Sequence, residues 1–296
     1  LPCFLEFTLP AFGNESSSIY DIIKKHGLSD KTTAILFDFD SKEVVSSHNH
    51  DLRLPLASVT KAVTAVYGLE TIGSSYKFNT DLFMNGTLEN GLLTGNLFLL
   101  GGGDPSLSTE RLNYFAKKLK KIGLKEIKGN FFYSPGIIPE FITIDPKQLP
   151  EQSYNPGFSG LNLNENKVFF KWRRSGTSYD LSLTSDGRKP NFKPANIKIS
   201  LADNGRAIYQ YNANLSSKEE NWFILRKALR NNGSRSLPVR FSAAFTANAL
   251  KSLCSQKSIS IPDPILSEEH HNRGDLVASL ESDALLEIIK EMLDGL

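Results

Sequence analysis

The sequence is poor in several things, and each shortage excludes a class of protein. It holds two cysteines in 296 residues, Cys3 and Cys254, which is too few for a disulfide framework. Its five histidines include His48 and His50 on one strand face and His270-His271 after Glu268-Glu269. A zinc site needs three or four convergent ligands at short spacing, so these read as surface histidines and no metal is expected. No suitably placed histidine or paired aspartate supports a Ser-His-Asp triad. No apolar run approaches the length of a membrane span. The net charge of +2 argues for neither nucleic acid nor an anionic membrane as partner. Internal repeats and low-complexity segments are also missing.

What is there is ordinary for a soluble protein: 40% hydrophobic and 22% charged residues, in a chain long enough for two or three domains. The chain begins at Leu1 rather than Met. Residues 1–13 are apolar, with Ala11 and Gly13 spaced like the small residues before a signal-peptidase cut. They are expected to be the tail of a secretory signal, with the mature protein starting near Asn14. An N-terminal strand or loose arm is the other reading.

The stretch Pro55 to Gly73 organises the rest. Val59, Ala62, Val63, Val66, Leu69 and Ile72 recur at spacings of three and four, which predicts a helix. Ser58 stands at its N-terminal edge and Gly73 is placed to stop it. It is apolar on nearly all sides, so it is expected inside the molecule. Yet it carries a hydroxyl at Ser58 and an amine at Lys61, one helical turn apart and pointing the same way. A serine needs a base within hydrogen-bond reach to become a nucleophile, and a lysine withdrawn from water can serve. The unpaired N–H groups of the first turn favour developing negative charge. Ser-x-x-Lys here is therefore a candidate acyl-transfer site. A capping serine beside a snorkelling lysine is the plainer reading, and the pattern recurs without an apolar run at Ser74 and Lys77.

Along the chain, Ile19–Lys25 is predicted as a short helix, followed by a hairpin over 33–47. Strands are predicted at 81–84, 94–100 and 127–133, around a helix opening at Ser108 or Thr109 whose Leu112, Phe115, Ala116, Leu119 and Ile122 face inward. Further strands at 167–173, 179–184, 197–201 and 207–212 form a small β unit. Helices are predicted over 241–254 and 282–293. Gly101-Gly-Gly-Asp-Pro105 lacks the Gly-Lys-Ser/Thr of a phosphate loop and reads as a tight turn built on Asp104. Gly157-Phe-Ser-Gly160 misses the nucleophile-elbow pattern because Leu161 replaces the last glycine.

Three runs together carry a family resemblance: Leu54–Gly73, Gly95–Leu107 and Tyr154–Asn166. In order and spacing they resemble the class C penicillin-binding proteins, the D-alanyl-D-alanine carboxypeptidases and endopeptidases. The resemblance implies an α+β fold, a penicillin-binding-protein/β-lactamase-like transpeptidase domain carrying nested α/β and all-β insertions. The implied division is a signal remnant at 1–13, a catalytic domain over 14–77 and 265–296, an inserted α/β domain over 78–165 and 235–264, and a nested β domain over 166–234. It implies an exported, periplasmic serine hydrolase acting on peptidoglycan peptides that end in D-Ala-D-Ala. Ser58 would be the nucleophile and Lys61 the base, with β-lactams as covalent inhibitors and no cofactor or metal. The third run borders the substrate cleft in that family, which makes Tyr154 a candidate substrate contact, against a packing tyrosine. The family's later motifs, Ser-x-Asn and Lys-Thr-Gly, do not occur downstream of the insertion. The sequence is therefore expected to be a C-terminally incomplete fragment, inactive and poorly stable alone. A non-catalytic cell-wall binding or scaffolding protein is the alternative; a β-lactamase is disfavoured by the long insertion.

Overall fold

The computed structural model describes residues 19–28, 31–185, 190–267 and 273–294. Residues 1–13, expected to be a signal remnant, with Cys3, the expected start near Asn14 and the 268–271 Glu/His run lie outside the described residues. The chain divides into two compact units, with the boundary between Val66 and Tyr67. No helix among the described residues is long and apolar enough to cross a membrane.

The first unit holds α1 (Ile19–Lys25), an antiparallel hairpin of β1 (Ala34–Asp38) and β2 (Glu43–His48), and the start of α2 (Thr60–Ile72). The hairpin turn follows from its sequence. The Asp38 carboxylate accepts the Asp40 N–H at 2.9 Å, an Asx-type turn, and that bond with those from Ser41 holds its carboxyl below the usual range. The expected burial of the Ser58 helix fails. Val59, Val63 and Val66 are 62%, 62% and 61% exposed, and Ala65 alone in α2 is buried. The hairpin likewise exposes Leu36, Val44 and Val45, and α1 exposes Ile22. Local i→i−4 bonds are enough to form a helix, but burying it needs a surface to pack on. One short helix and a two-stranded hairpin cannot enclose it.

The second unit is built on a five-stranded mixed sheet whose strands lie in the order Pro264–Leu266, Phe131–Ser134, Leu97–Leu100, Asn79–Met84 and Asp275–Glu281. Its chain order is β3 (Asn79–Met84), β4 (Thr87–Glu89), β5 (Leu92–Thr94), β6 (Leu97–Leu100), α3 (Thr109–Lys121), β7 (Glu126–Lys128) and β8 (Phe131–Ser134). Then come β9 (Lys167–Ser175), β10 (Ser178–Thr184), β11 (Ile197–Ala202), β12 (Tyr209–Asn214), β13 (Glu219–Leu225) and β14 (Asn232–Pro238). Last are α4 (Ser242–Ser255), β15 (Pro264–Leu266), β16 (Asp275–Glu281) and α5 (Leu285–Asp294). Three further sheets have the orders β4-β5-β7, β10-β9-β14 and β11-β13-β12.

The strands expected at 94–100 and 127–133 each break in two. Gly95-Asn96 and Gly129-Asn130 stand at the breaks: Asn96 Oδ1 accepts the Asn130 N–H at 2.9 Å, and Asn85 Oδ1 accepts the Asn96 N–H at 2.8 Å. The short halves pair into the small sheet β4-β5-β7 and the long ones into the main sheet. Helix α3 starts where its sequence says, with Ser108 Oγ accepting the Arg111 N–H at 3.2 Å, and buries Leu112, Phe115, Ala116 and Leu119. It packs on α4 and β16. Helix α4 is buried nearly all round, because its alanines let neighbours approach from every side. Cys254 lies within it, and burial pushes that thiol up to about 12, which leaves it inert.

The sequence division puts 265–296 with the catalytic portion. In the structure β15 lies parallel to β8 and β16 antiparallel to β3, and both are outer strands of the five-stranded sheet. An edge strand needs only one neighbour, and β3 and β8 each offered a free side.

Candidate active site

Ser58 sits in a single 3-10 turn, Ala57–Val59, that leads directly into α2. The residue before it, Ala57, has φ +46°, left-handed backbone that an alanine adopts at a cost. Strain of this kind concentrates where a structure must present a side chain in one direction. The turn places the serine hydroxyl 3.5 Å from Lys61 Nζ, with the amine donating. That distance is the outer limit of a hydrogen bond, and it is the line along which a proton would pass between the two groups. Ser58 is exposed and Lys61 half-buried, not withdrawn from water as expected.

The second Ser-x-x-Lys copy has other work. Lys77 forms an ion pair with Glu281 at 3.1 Å, and the Ser74 carbonyl accepts the Leu286 N–H. Ser159 of the near-miss elbow is buried and closed in a local network. Its hydroxyl donates to the Leu161 carbonyl at 2.9 Å and lies 2.9 Å from the Ser242 hydroxyl, so it packs rather than reacts.

Tyr154 belongs to the second unit. It is 63% exposed and its hydroxyl donates to Gln148 Oε1 at 3.2 Å. The loop that carries it is held from below by two buried side chains. Asn155 Oδ1 accepts from the Ile144 and Asp145 N–H groups at 3.0 and 2.8 Å and from the Thr143 hydroxyl. The Arg240 guanidinium donates to the carbonyls of Ile142, Pro150 and Asn155. This anchoring keeps Ile142, Ile144, Leu149 and Tyr154 exposed on a fixed scaffold.

The Gly101-Gly-Gly-Asp-Pro105 stretch behaves as the turn expected of it. Asp104 Oδ1 accepts from the Ser106 N–H and hydroxyl at 2.8 and 2.7 Å, and its Oδ2 meets Arg111 at 2.9 Å. Gly102 is there for backbone approach: a Cβ would stand 2.1 Å from the Asn79 carbonyl oxygen.

Sequence reasoning missed the buried polar centre at the start of α4. Glu220 is sealed from water and its Oε1 accepts the N–H of Arg240 and Phe241 at 2.9 and 3.1 Å. Glu140 accepts the next one, from Ala243, at 3.0 Å. Two carboxylates thus cap one helix from distant strands and loops. The signal available was a glutamate inside an apolar strand, Glu220-Asn-Trp-Phe-Ile-Leu225. His48 and His50 are not drawn into a cluster: His48 Nε2 lies 3.0 Å from the Asn49 amide nitrogen and His50 reaches Asp51 at 3.5 Å.

Residues 16–295 match the profile of the D-Ala-D-Ala carboxypeptidase 3 (S13) family. The chain is 31% identical over 126 residues to the D-alanyl-D-alanine carboxypeptidase DacB of Haemophilus influenzae, which covers 43% of this chain and 26% of that protein. It is 28% identical over 98 residues to the D-alanyl-D-alanine carboxypeptidase of Actinomadura sp. (strain R39), covering 33% of this chain and 18% of the relative. Penicillin binding protein 4 (dacB) from Haemophilus influenzae superposes over 92% of this chain and 61% of its own, with a TM-score of 0.69 at 19% identity. The same protein complexed with a β-lactam gives 0.68 over 92% of this chain and 60% of its own, at 19% identity. The α+β fold is therefore that of the penicillin-binding protein, and the chain spans less than two thirds of these relatives' length.

Proposed function

The chain belongs to the D-Ala-D-Ala carboxypeptidase 3 (S13) family, and from that premise we propose that Ser58 is the nucleophile of a serine-type D-Ala-D-Ala carboxypeptidase or endopeptidase acting on peptidoglycan peptides. The observation that carries this is the Ser58–Lys61 pair, one turn apart and 3.5 Å from hydroxyl to amine, at the head of a helix. Ser58 Oγ attacks the carbonyl carbon before the terminal D-alanine, and its proton passes to the Lys61 amine. The Ser58 N–H is one donor to the resulting oxyanion. Collapse breaks the peptide bond, the D-alanine amine leaves with the proton, and an ester on Ser58 remains. Water then attacks the ester and restores the serine. A β-lactam undergoes the same attack, but its amine stays tethered after ring opening, so the ester persists.

Tyr154, exposed on its anchored loop, is a candidate contact for the substrate peptide. A periplasmic location agrees with a peptidoglycan substrate. An acyl-transfer site works best when dry, and Ser58 here is exposed. Turnover by this chain alone is accordingly expected to be undetectable, even where acylation is seen.

The test is intact mass with and without excess benzylpenicillin, for the native sequence, Ser58→Ala and Lys61→Ala. The expected result is one penicillin adduct on the native protein, none on Ser58→Ala and slow labelling of Lys61→Ala. No adduct on the product of the native gene, or an adduct that survives Ser58→Ala, overturns the assignment. The first of these outcomes would favour a cell-wall binding protein.

A further inference from the structure

Residues 166–234 carry thirteen lysines and arginines against five aspartates and glutamates, a formal +8 in a chain whose total is +2. The cationic charge is thus gathered in the stretch of sequence that holds the two three-stranded sheets, and the remainder of the chain is net acidic. Segregation of this kind points to an anionic partner for the basic part.

The strand order shows where such a partner fits. β10 is the outer strand of one sheet and β11 of the other; among the described residues neither has a second neighbour. An outer strand keeps a row of backbone N–H and C=O groups available to another strand. Two depressions meet at β10, and Leu181 and Ser182 line both. One, of about 510 Å³, opens between β10 and β11 over Phe170, Leu181, Leu183, Ile197 and Ile199, with Lys193 and Lys198 at its wall. The other, of about 590 Å³, is lined by Lys171, Arg173, Asp180, Ser182 and Ser234.

Strand alternation sorts these onto opposite sides. Leu181 stands across from Trp172, and Ser182 across from Lys171. One side of the β9–β10 pair is therefore apolar, and the other carries Asp180 and Ser182 on β10 beside Arg173 and Lys171 on β9. The charges already present are loosely held. Arg173 meets Asp180 at 3.5 Å and Lys198 meets Glu219 at 3.3 Å, all four side chains being well exposed. Exposed pairs of this kind exchange partners at little cost.

We propose that the free edge of β10 is a docking site for an extended segment of a partner protein in which apolar and acidic residues alternate. Added as a further strand, the segment turns every second side chain into the apolar groove. The carboxylates between them lie on the Lys171 and Arg173 side. Main-chain hydrogen bonds supply the affinity and the alternation supplies the specificity.

The test uses the full chain and a fluorescein-labelled seven-residue peptide alternating valine and glutamate, read by anisotropy and by hydrogen exchange. Expected are saturable binding and new amide protection over residues 179–184. Binding should weaken at least tenfold for a peptide of the same composition in shuffled order, and as much when alternate peptide amides are N-methylated. Lys171→Glu with Arg173→Glu, two exposed positions whose change should leave the circular dichroism unaltered, should weaken it likewise. Equal binding of the shuffled peptide overturns the proposal and makes the sheet a general polyanion surface, nucleic acid included. Indifference to N-methylation, protection elsewhere, or no saturation below about 1 mM also overturns it. None of these outcomes bears on Ser58.

Discussion

Replacing Glu220 with Gln should flatten the pH dependence of stability. The Glu220 carboxyl is fully buried, and burial is the largest influence on it, pushing it from its ordinary 4.5 up to about 7. The N–H bonds from Phe241 and Arg240 and the Arg240 charge oppose that rise without cancelling it. The buried Tyr211 hydroxyl beside it opposes the rise as well, more weakly. A group that holds its proton more firmly when folded favours folding most where both states are protonated, below about pH 4.5. As pH rises the unfolded chain releases its proton first, so stability falls until the folded carboxyl ionises near pH 7, and is level beyond. From 4.5 to about 7, at about 1.4 kcal/mol per pH unit, the loss is roughly 3 kcal/mol. Glutamine keeps an oxygen for both N–H donors and has no proton to lose. Urea unfolding followed by tryptophan fluorescence at pH 5, 6, 7 and 8 reads the difference. Trp222 is fully buried and next but one to Glu220, so it reports on this region. Glu140, whose carboxyl burial also raises, is present in both proteins and cancels. The native protein should lose roughly 2–3 kcal/mol more than Glu220→Gln across the series. Parallel curves, or a variant weaker by the same amount at every pH, would refute the reasoning.

Other substitutions test the close approaches and caps. Asn164 lies in a left-handed turn with Glu165 and Asn166, φ 51°, 54° and 53°, and caps α3 by accepting the Thr109 N–H at 2.9 Å. Asn164→Ala should cost about 2–3 kcal/mol, and Asn164→Gly, which keeps the backbone but loses the cap, about 1 kcal/mol, by urea melts. Gly160→Ala should not fold, since its Cβ would lie 1.7 Å from the Pro135 carbonyl oxygen, whereas Gly68→Ala, with nothing closer than Leu285 Cδ2 at 3.8 Å, should raise stability by about 0.5–1 kcal/mol. Arg111→Met strands the Asp104 carboxylate, 1% exposed. It should cost about 2–3 kcal/mol, and Asp104→Asn in the same protein should restore part of that.

The sequence by itself determined what is local or repeats with a short period. The apolar spacing of α3 and α4, the Ser108 cap, the Asp38 turn and the Asp104 turn are all visible in it, because each is settled by residues within a few positions of one another. The Ser58–Lys61 pairing belongs to the same class: three residues on a helix bring the two groups together whatever surrounds them. Tertiary structure alone decided the rest. Whether α2 is covered depends on neighbours, and its apolar pattern predicted a burial that the described residues do not provide. The strands β15 and β16 are three and seven residues long and join sheet partners more than a hundred positions away, so nothing near them in sequence marks their place. Nothing near Glu220 in the sequence shows that β13 carries its carboxyl under the start of α4. A buried carboxyl is defined by what encloses it, and its partners here, Arg240, Phe241 and Tyr211, come from the start of α4 and from another strand.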